Sequence, residues 1–278
     1  MFETLATGIW IGAAALFGLL IGSFLNVCIY RLPAGLTIVR GHSFCPQCKH
    51  PLGSLDLVPV FSYLLLGRRC RYCHEPISPR YARIELLTCA YFTLTALAVR
   101  PGETGWPEWL RSLLPGSAGA QPDGVFSASL LLAIFIVLVF SGFLVWAMIL
   151  WDGQTAPNGL LLFIAVPVSL HLALRPEKLV SSLLAAALAL LVHLLLTWLR
   201  LYPEMPARQR LQTGASLGLL GLAAGLPAVQ PVLAVLLIEL LFLSLYGQKS
   251  AATGRADQLW RSLPLQLILI GSVARLFF

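Results

Sequence analysis

The chain has 278 residues, of which 58% are hydrophobic and only 11% are charged, and its mean hydropathy is +0.83. Because soluble domains carry about 25% charged residues, this composition excludes an ordinary soluble globular fold and predicts an all-α polytopic membrane protein. The formal net charge of +7 indicates basic residues beside anionic lipid headgroups and not a surface for nucleic acid.

Apolar stretches that could cross a bilayer recur along the chain, since a transmembrane helix needs roughly 20 residues. We predict about eight of them, several of which are short for a span. They are 5–30, 84–99, 125–151, 158–174, 179–199, 213–227, 229–247 and 262–278. The opening Met1-Phe2-Glu3 precedes a long apolar run without a basic residue, so we expect a span there and not a cleaved signal peptide. The Gly- and Pro-rich segment 100–124 is predicted to be an irregular outer loop, and no repeat of fixed period is expected.

These spans divide the chain into a first transmembrane helix (1–31), a polar segment (32–83) and a multi-span helical bundle (84–278). Lys and Arg predict the orientation, because cytoplasmic loops are enriched in them. With the N-terminus outside, 14 of the 19 basic residues fall on inner loops. Those loops are 31–83, 152–157, 200–212 and 248–261. The segment 32–83, called the island below, is therefore predicted to be cytoplasmic.

The island contains two Cys-x-x-Cys pairs whose spacing is typical of a tetrahedral zinc site with four sulfur ligands. They are Cys45/Cys48 and Cys70/Cys73. A reducing cytoplasm disfavours disulfides, so we predict a small zinc-ribbon-like domain of short loops and strands with a closed, structural zinc. The alternative is reduced thiols that pack without metal. His50 and His74 are expected beside the ligands or on the surface, and Cys28 and Cys89 as packing residues within spans.

Two stretches, GSFLNVCIYRLP (22–33) and LVPVFSYLLLGRRCRYCHEPISPRYARIELL (57–87), together with the cysteine pairs, resemble the prepilin leader peptidase/N-methyltransferase family. Asp56 stands where that family usually has Glu. The resemblance implies a bacterial inner-membrane enzyme of type IV pilus or type II secretion systems. Such an enzyme cuts the leader from prepilins or pseudopilins on the cytoplasmic side. It then methylates the new N-terminal amine with S-adenosylmethionine, and the zinc domain is associated with this second step.

Several residues carry this resemblance: Asn26, Arg31, Pro33, Pro59, Ser62, Arg80, Tyr81 and Glu85. Five of them cluster at the membrane edge of the island and are candidates for binding substrate or serving methyl transfer: Asn26, Arg31, Arg80, Tyr81 and Glu85. Structural roles are the alternative, with Arg31 and Arg80 as headgroup anchors, Tyr81 at the interface and Glu85 as a charge near a helix N-terminus. No Rossmann-type glycine fingerprint locates an S-adenosylmethionine site, so only the resemblance implies this cofactor.

The peptidase half departs from the family pattern. The family resembles intramembrane aspartyl proteases, which need two carboxylates with different protonation states. In AMILWDGQTAPNGLLLF (147–163), alignment on the Pro-Asn pair puts Leu150 at the first catalytic position and leaves Asp152 as the nearest candidate catalytic acid. In ARQRLQTGASLGLLGLAAG (207–225), Thr213 stands at the second position. The glycines of that stretch predict close helix packing.

Few other acids could complete the pair, because the chain has only four aspartates: Asp56, Asp123, Asp152 and Asp257. Glu239 lies in the predicted seventh span and is a functional candidate because buried membrane charges are costly. Its alternative is a wet bundle interior or a partner such as His193 or a loop Arg. Glu204 is expected to be solvated, and His171 and His193 are expected at helix interfaces.

The island resembles the family closely, whereas both expected aspartate positions are replaced. This asymmetry leaves three candidate functions. The first is a divergent family member that methylates pilins already cut by a separate peptidase. The second is a working peptidase that uses Asp152 with an unrecognised partner. The third is a non-catalytic pseudoenzyme that binds pilins within the assembly machinery.

Overall fold

The computed structural model describes residues 2–98, 123–198 and 206–225. Seven α-helices lie in these ranges: α1 (Phe2–Arg31), α2 (Phe61–Leu65), α3 (Arg80–Ala98), α4 (Asp123–Trp151), α5 (Asn158–Leu174), α6 (Leu179–Trp198) and α7 (Ala207–Ala224). Two 3-10 turns, Ser54–Leu57 and Pro176–Lys178, accompany them. No strand forms in the described ranges, so the all-α prediction is confirmed there.

Three helices of the described chain are long and apolar enough to cross a membrane: Gly8–Arg31, Ala133–Trp151 and Pro176–Leu195. The helix Asn158–Leu174 is apolar but shorter. Eight spans are therefore not confirmed, and the predicted spans 229–247 and 262–278 lie outside the described residues. The predicted loop 200–212 is wrong at its end, because α7 already begins at Ala207.

The chain divides into two compact units. Among the described residues, the first unit holds 2–98 and 123–137, and the second holds 138–198 and 206–225.

Helices α1 and α3 of the first unit pack antiparallel in a fixed register. A Cβ on Gly18 would lie 2.6 Å from the Cα of Cys89, and one on Gly22 would lie 2.7 Å from the Cα of Glu85. One turn further along α1, Asn26 donates a hydrogen bond to the carbonyl of Tyr81. Moving four residues forward along α1 therefore brings the contact four residues backward along α3, which is the pattern of an antiparallel pair. Only glycine allows the two backbones to approach so closely.

The second unit repeats this device between α6 and α7. A Cβ on Gly221 would lie 2.7 Å from the backbone of Ala186, and one on Gly214 would lie 2.8 Å from the ring of His193. The close packing predicted from these glycines is therefore confirmed. The C-terminal half of α4 is buried in the same unit, and the indole of Trp146 is fully enclosed.

Candidate metal centre and adjoining cavity

Each Cys-x-x-Cys pair lies in a tight turn with the same backbone hydrogen bonds. In the first, Cys45 N–H donates to the His50 carbonyl and Lys49 N–H donates to the Cys45 carbonyl. In the second, Cys70 N–H donates to Glu75 and His74 N–H donates to Cys70. An isolated bridge closes each turn, pairing 44 with 51 and 69 with 76. We predicted short strands in the island, but the structure forms only these two isolated bridges there.

The two turns form a repeat with a period of 25 residues that the sequence reasoning missed. The signal is visible as CPQCKHPL (45–52) and CRYCHEPI (70–77). Lys49 and His74 occupy the same place in the two turns and both adopt positive φ, at 60° and 58°. Residues other than glycine rarely adopt this left-handed backbone conformation. The two turns therefore share their backbone geometry as well as their cysteine spacing.

The four thiols converge on one point. All four sulfur atoms lie within 4.8 Å of one another, and the sulfurs of Cys45 and Cys73 are 3.9 Å apart. Tetrahedral zinc with bonds of about 2.3 Å separates its sulfur ligands by about 3.8 Å. The spacing and the all-sulfur donor set therefore fit zinc. No other cluster of this kind occurs in the described part of the chain.

The pKa values of two of the thiols, Cys45 and Cys73, are shifted in opposite directions. Burial disfavours the Cys45 thiolate, but hydrogen bonds from the N–H groups of Cys48 and Gln47 outweigh it and lower its pKa to about 7. At Cys73 the N–H of Glu75 favours the thiolate, but burial and the neighbouring sulfurs raise the pKa to about 12. Four thiols this close cannot all ionise together unless a cation compensates their charge, and zinc binding supplies that charge.

Tyr72 and Asp56 tie the two turns together. The ring of Tyr72, which lies inside the second turn, stacks on His50 beside the first, with centroids 3.6 Å apart. The Tyr72 hydroxyl donates to Asp56, whose other carboxylate oxygen accepts from Arg71 at 2.6 Å. The Arg71 guanidinium holds the pKa of Asp56 below its usual range. His50 is thus a neighbour of the metal centre, as predicted, and its ring packs on Tyr72.

Arg31 fastens the next loop to the end of α1. Its guanidinium donates to the carbonyls of Thr37 and Arg40 at 3.0 and 2.9 Å and to that of His42 at 3.1 Å. The side chain is only 8% exposed. The sequence suggested that Arg31 either serves substrate binding and methyl transfer or anchors the helix at lipid headgroups. These contacts add a third role, which is to hold the loop 37–42 against the end of α1.

Glu85 fastens a strained turn to the helix pair. Its carboxylate accepts the backbone N–H of Val60 at 2.7 Å, and Val60 has φ +61°. Positive φ is a true outlier for a β-branched residue, and such strain persists only where neighbouring contacts impose it. The buried carboxylate of Glu85 therefore fixes the turn that leads into α2.

A cavity of about 200 Å³ lies between the island and these ends of α1 and α3. Its lining includes four of the five sequence-predicted candidates: Asn26, Arg31, Tyr81 and Glu85. Arg80 begins α3 and is not among the lining residues. Asp56, Ser62 and the buried ligands Cys45 and Cys70 also line it. The structure thus places the metal centre and most of the candidates around one space, while their roles stay predictions.

The second unit presents a different chemistry where the sequence suggested a peptidase site. Asp152 is exposed on the turn after α4, Leu150 is buried, and Thr213 is buried with its hydroxyl on the Gln209 carbonyl. Two amides missed by the sequence reasoning hold the connection to α5. Gln212 donates to the Ala156 carbonyl at 2.7 Å and accepts its N–H at 3.2 Å.

The second of these amides, Gln209, donates to the carbonyl of Gly153. The described residues around this connection therefore offer amides and a hydroxyl to the backbone, together with the single carboxylate of Asp152. Glu239 and Glu204 lie outside the described residues.

Comparison with known proteins locates a family likeness in the first unit. Residues 16–99 match the model of the bacterial peptidase A24 N-terminal domain. The prepilin leader peptidase/N-methyltransferase of Klebsiella pneumoniae is 42% identical over 100 residues, covering 34% of this chain and 44% of the relative. That of Aeromonas hydrophila is 38% identical over 111 residues, covering 31% and 38%. That of Myxococcus xanthus (strain DK1622) is 51% identical over 75 residues, covering 27% and 22%.

The match to each of these relatives spans less than half of that relative's length. No solved structure matches the chain. The matched residues contain the four-thiol cluster, the strained turn and the cavity, which is where the described candidates gather. The likeness to the prepilin leader peptidase/N-methyltransferases of these bacteria therefore lies in the N-terminal domain, residues 16–99.

Proposed function

We propose that the protein is an inner-membrane N-methyltransferase of pilin-like substrates that has lost the peptidase activity of its family. Its substrates would be prepilins or pseudopilins of type IV pilus or type II secretion systems, already cut by a separate peptidase. The island would face the cytoplasm and be held together by zinc. The observation that carries this proposal is the contrast in carboxylates: the cavity of the first unit keeps two, whereas Leu150 and Thr213 occupy the expected aspartate positions.

The lining of the cavity suits a cationic group. Arg31 and Arg71 also line the cavity, but Arg71 is paired with Asp56 and Arg31 with backbone carbonyls. The carboxylate of Glu85 and the aromatic rings are left to attract positive charge. Both an N-terminal amine and the sulfonium of S-adenosylmethionine are cations before they react. The cofactor would supply the methyl group, and the chain would bind the amine, orient it and accept its proton.

Glu85 is better placed than Asp56 to accept that proton. The amine would attack only when neutral, so its proton would pass to a nearby base before the nitrogen takes the methyl group from the sulfonium, which would leave as the neutral thioether. Asp56 is committed to Arg71 and Tyr72, and its lowered pKa makes it a weak base. Glu85 is buried, and its carboxylate accepts hydrogen bonds from the Val60 N–H and from Ser23, both of which are neutral donors.

Mass spectrometry of two substrates tests this function. Purified protein in detergent, with zinc and S-adenosylmethionine, is incubated with an intact prepilin and with the same pilin lacking its leader. We expect the mature pilin to gain a methyl group at its N-terminus and the intact prepilin to remain uncut. A Glu85→Gln variant serves as the control for catalysis by the cavity.

The other outcomes separate the remaining functions. Cleavage of the intact prepilin that is lost in Asp152→Asn would contradict the proposal and establish a peptidase. Binding of both pilins without cleavage or methylation would identify a pilin-binding pseudoenzyme.

A further inference from the structure

The island carries an exposed apolar segment that its zinc centre does not explain. Between residues 55 and 65, six large apolar side chains are at least 39% exposed: Leu55, Leu57, Val58, Phe61, Leu64 and Leu65. We call the segment 55–65 the ledge. The single acid in this stretch, Asp56, turns its carboxylate inward onto Arg71, and that side chain is only 6% exposed. Exposed apolar side chains concentrated in one short segment are typical of a contact with a membrane or a partner.

The position of the ledge along the helices is fixed by hydrogen bonds. Val60 at its centre donates to Glu85, and Glu85 packs against Gly22 of α1. Gly22 lies nine residues before the end of α1 at Arg31, a distance of roughly 13 Å along the helix. Ser23, Asn26 and Val27 of α1 share the cavity with the ledge.

The ledge therefore lies beside the last turns of a helix that is long and apolar enough to span a membrane. At the same level α1 exposes Phe24, and α3 exposes Leu86. Side chains at this level of a membrane helix meet lipid or the headgroup boundary, so the neighbouring apolar ledge has the same surroundings. Leu65, which is 86% exposed, is the most exposed side chain of the ledge.

Charge at the end of the ledge agrees with this environment. Arg68 and Arg69 follow the ledge after Gly67 and are both exposed. Gly67 and Arg68 have positive φ, at 61° and 64°, so the chain turns sharply away after the last apolar side chain. Apolar residues next to basic residues are typical of segments that lie in the membrane interface, about 5–10 Å into the headgroup and acyl boundary.

We propose that the ledge is a membrane-inserted foot of the zinc island, which seats the cavity at the lipid surface. Leu55, Val58, Phe61 and Leu65 enter the acyl boundary, while Arg68 and Arg69 contact anionic headgroups. Glu85 holds the foot at this depth through Val60. The occupant of the apolar surface is therefore lipid. This inference rests on α1 spanning the membrane and does not depend on the proposed enzymatic activity.

Tryptophan quenching in vesicles tests the foot. Full-length, zinc-loaded Leu65→Trp protein is reconstituted into phosphatidylcholine/phosphatidylglycerol vesicles, with or without bromine on acyl carbons near the headgroup. The control is Val39→Trp, because Val39 is equally exposed, at 87%, but lies in the loop clamped by Arg31. Emission of the parent protein is subtracted, and zinc content confirms that both islands are folded.

We expect brominated lipid to remove most of the added emission of Leu65→Trp and little of that of Val39→Trp. Aqueous iodide should give the reverse order. The proposal would be overturned if brominated lipid left the added emission of Leu65→Trp and of Val39→Trp equally unquenched and iodide quenched both to the same extent. Leu65→Trp emission that responds only to added pilin would also overturn it and assign the ledge to substrate. Emission that changes only with protein density in the vesicle would assign it to a second copy.

Discussion

The two units differ in the polar side chains that lie beside their helices and in what those side chains bind. In the first unit, the carboxylates of Asp56 and Glu85, the buried guanidinium of Arg31 and the thiols of Cys45 and Cys70 line one cavity, and Glu85 holds the strained backbone of Val60. In the second unit, amides from Gln209 and Gln212 bind the backbone of one connection, and Leu150 and Thr213 are buried beside it. This difference supports the proposal that the chemistry takes place in the first unit.

Loss of the metal should produce the largest effect on this contrast. In Cys45→Ser the island should lose zinc, because structural zinc contributes about 10–16 kcal/mol of folding free energy in small domains. We expect the region 32–83 to become protease-sensitive while fragments of the second unit stay protected. Zinc per chain and limited proteolysis measure both. Cys89→Ser, a half-buried thiol outside the cluster, is the matched control and should keep its zinc. An island that stays protected after chelation would contradict a structural metal.

The sequence predicted the clustering of the four cysteines because its information is local. A Cys-x-x-Cys spacing specifies one turn, and two such turns specify four ligands wherever the chain brings them together. The glycines of α7 were likewise predictable, since a stripe of small residues has one main use between membrane helices. The 25-residue repeat could also have been read from the two octapeptides.

Other features could not be read from the sequence. A valine is the least expected residue at positive φ, so the strained turn at Val60 gave no local signal. Its partner Glu85 is 25 residues away. The bonds of Gln212 to Ala156 also depend on tertiary contact, and a glutamine in an amphipathic helix normally indicates an exposed surface. The start of α7 was placed too late because Arg208 and Arg210 are charged, although both lie in a helix.

Close helix packing offers the next test, because both units use it. Gly22→Ala and Gly221→Ala each place a Cβ 2.7 Å from backbone atoms of the facing helix, which should cost about 1–3 kcal/mol of stability. Only Gly22→Ala should also lower methyl transfer, since α1 and α3 line the cavity. Thermal unfolding and the methylation assay separate these effects. Gly12→Ala, where an added Cβ meets nothing within 4 Å, should retain both. A similar activity loss in Gly221→Ala would mean that the second unit shares in the reaction.

Glu85 distinguishes a positioning role from a proton-accepting role. Glu85→Leu removes the acceptor of the Val60 N–H, and leaving such a group unsatisfied costs about 1–3 kcal/mol. Glu85→Gln keeps an acceptor oxygen and removes only the charge. We expect both variants to lose methyl transfer, but only the leucine variant to expose the turn around Val60 to protease. A glutamine variant with full activity would show that the carboxylate positions the turn and accepts no proton.

The smallest effect should come from pH. The Arg71 guanidinium lowers the pKa of Asp56 in the folded island, while the unfolded value is about 3.9. A carboxylate with a lowered pKa stabilises the fold above its unfolded pKa, and this contribution disappears as pH falls through the folded pKa. Wild type should therefore resist proteolysis better than Asp56→Asn at neutral pH, and the two should converge below about pH 4. Zinc release in acid is common to both proteins, so the difference between their curves isolates Asp56. A difference that persists unchanged in acid would assign the effect of Asp56 to its hydrogen bonds with Tyr72 and Gly53, which asparagine reproduces poorly, and not to its charge.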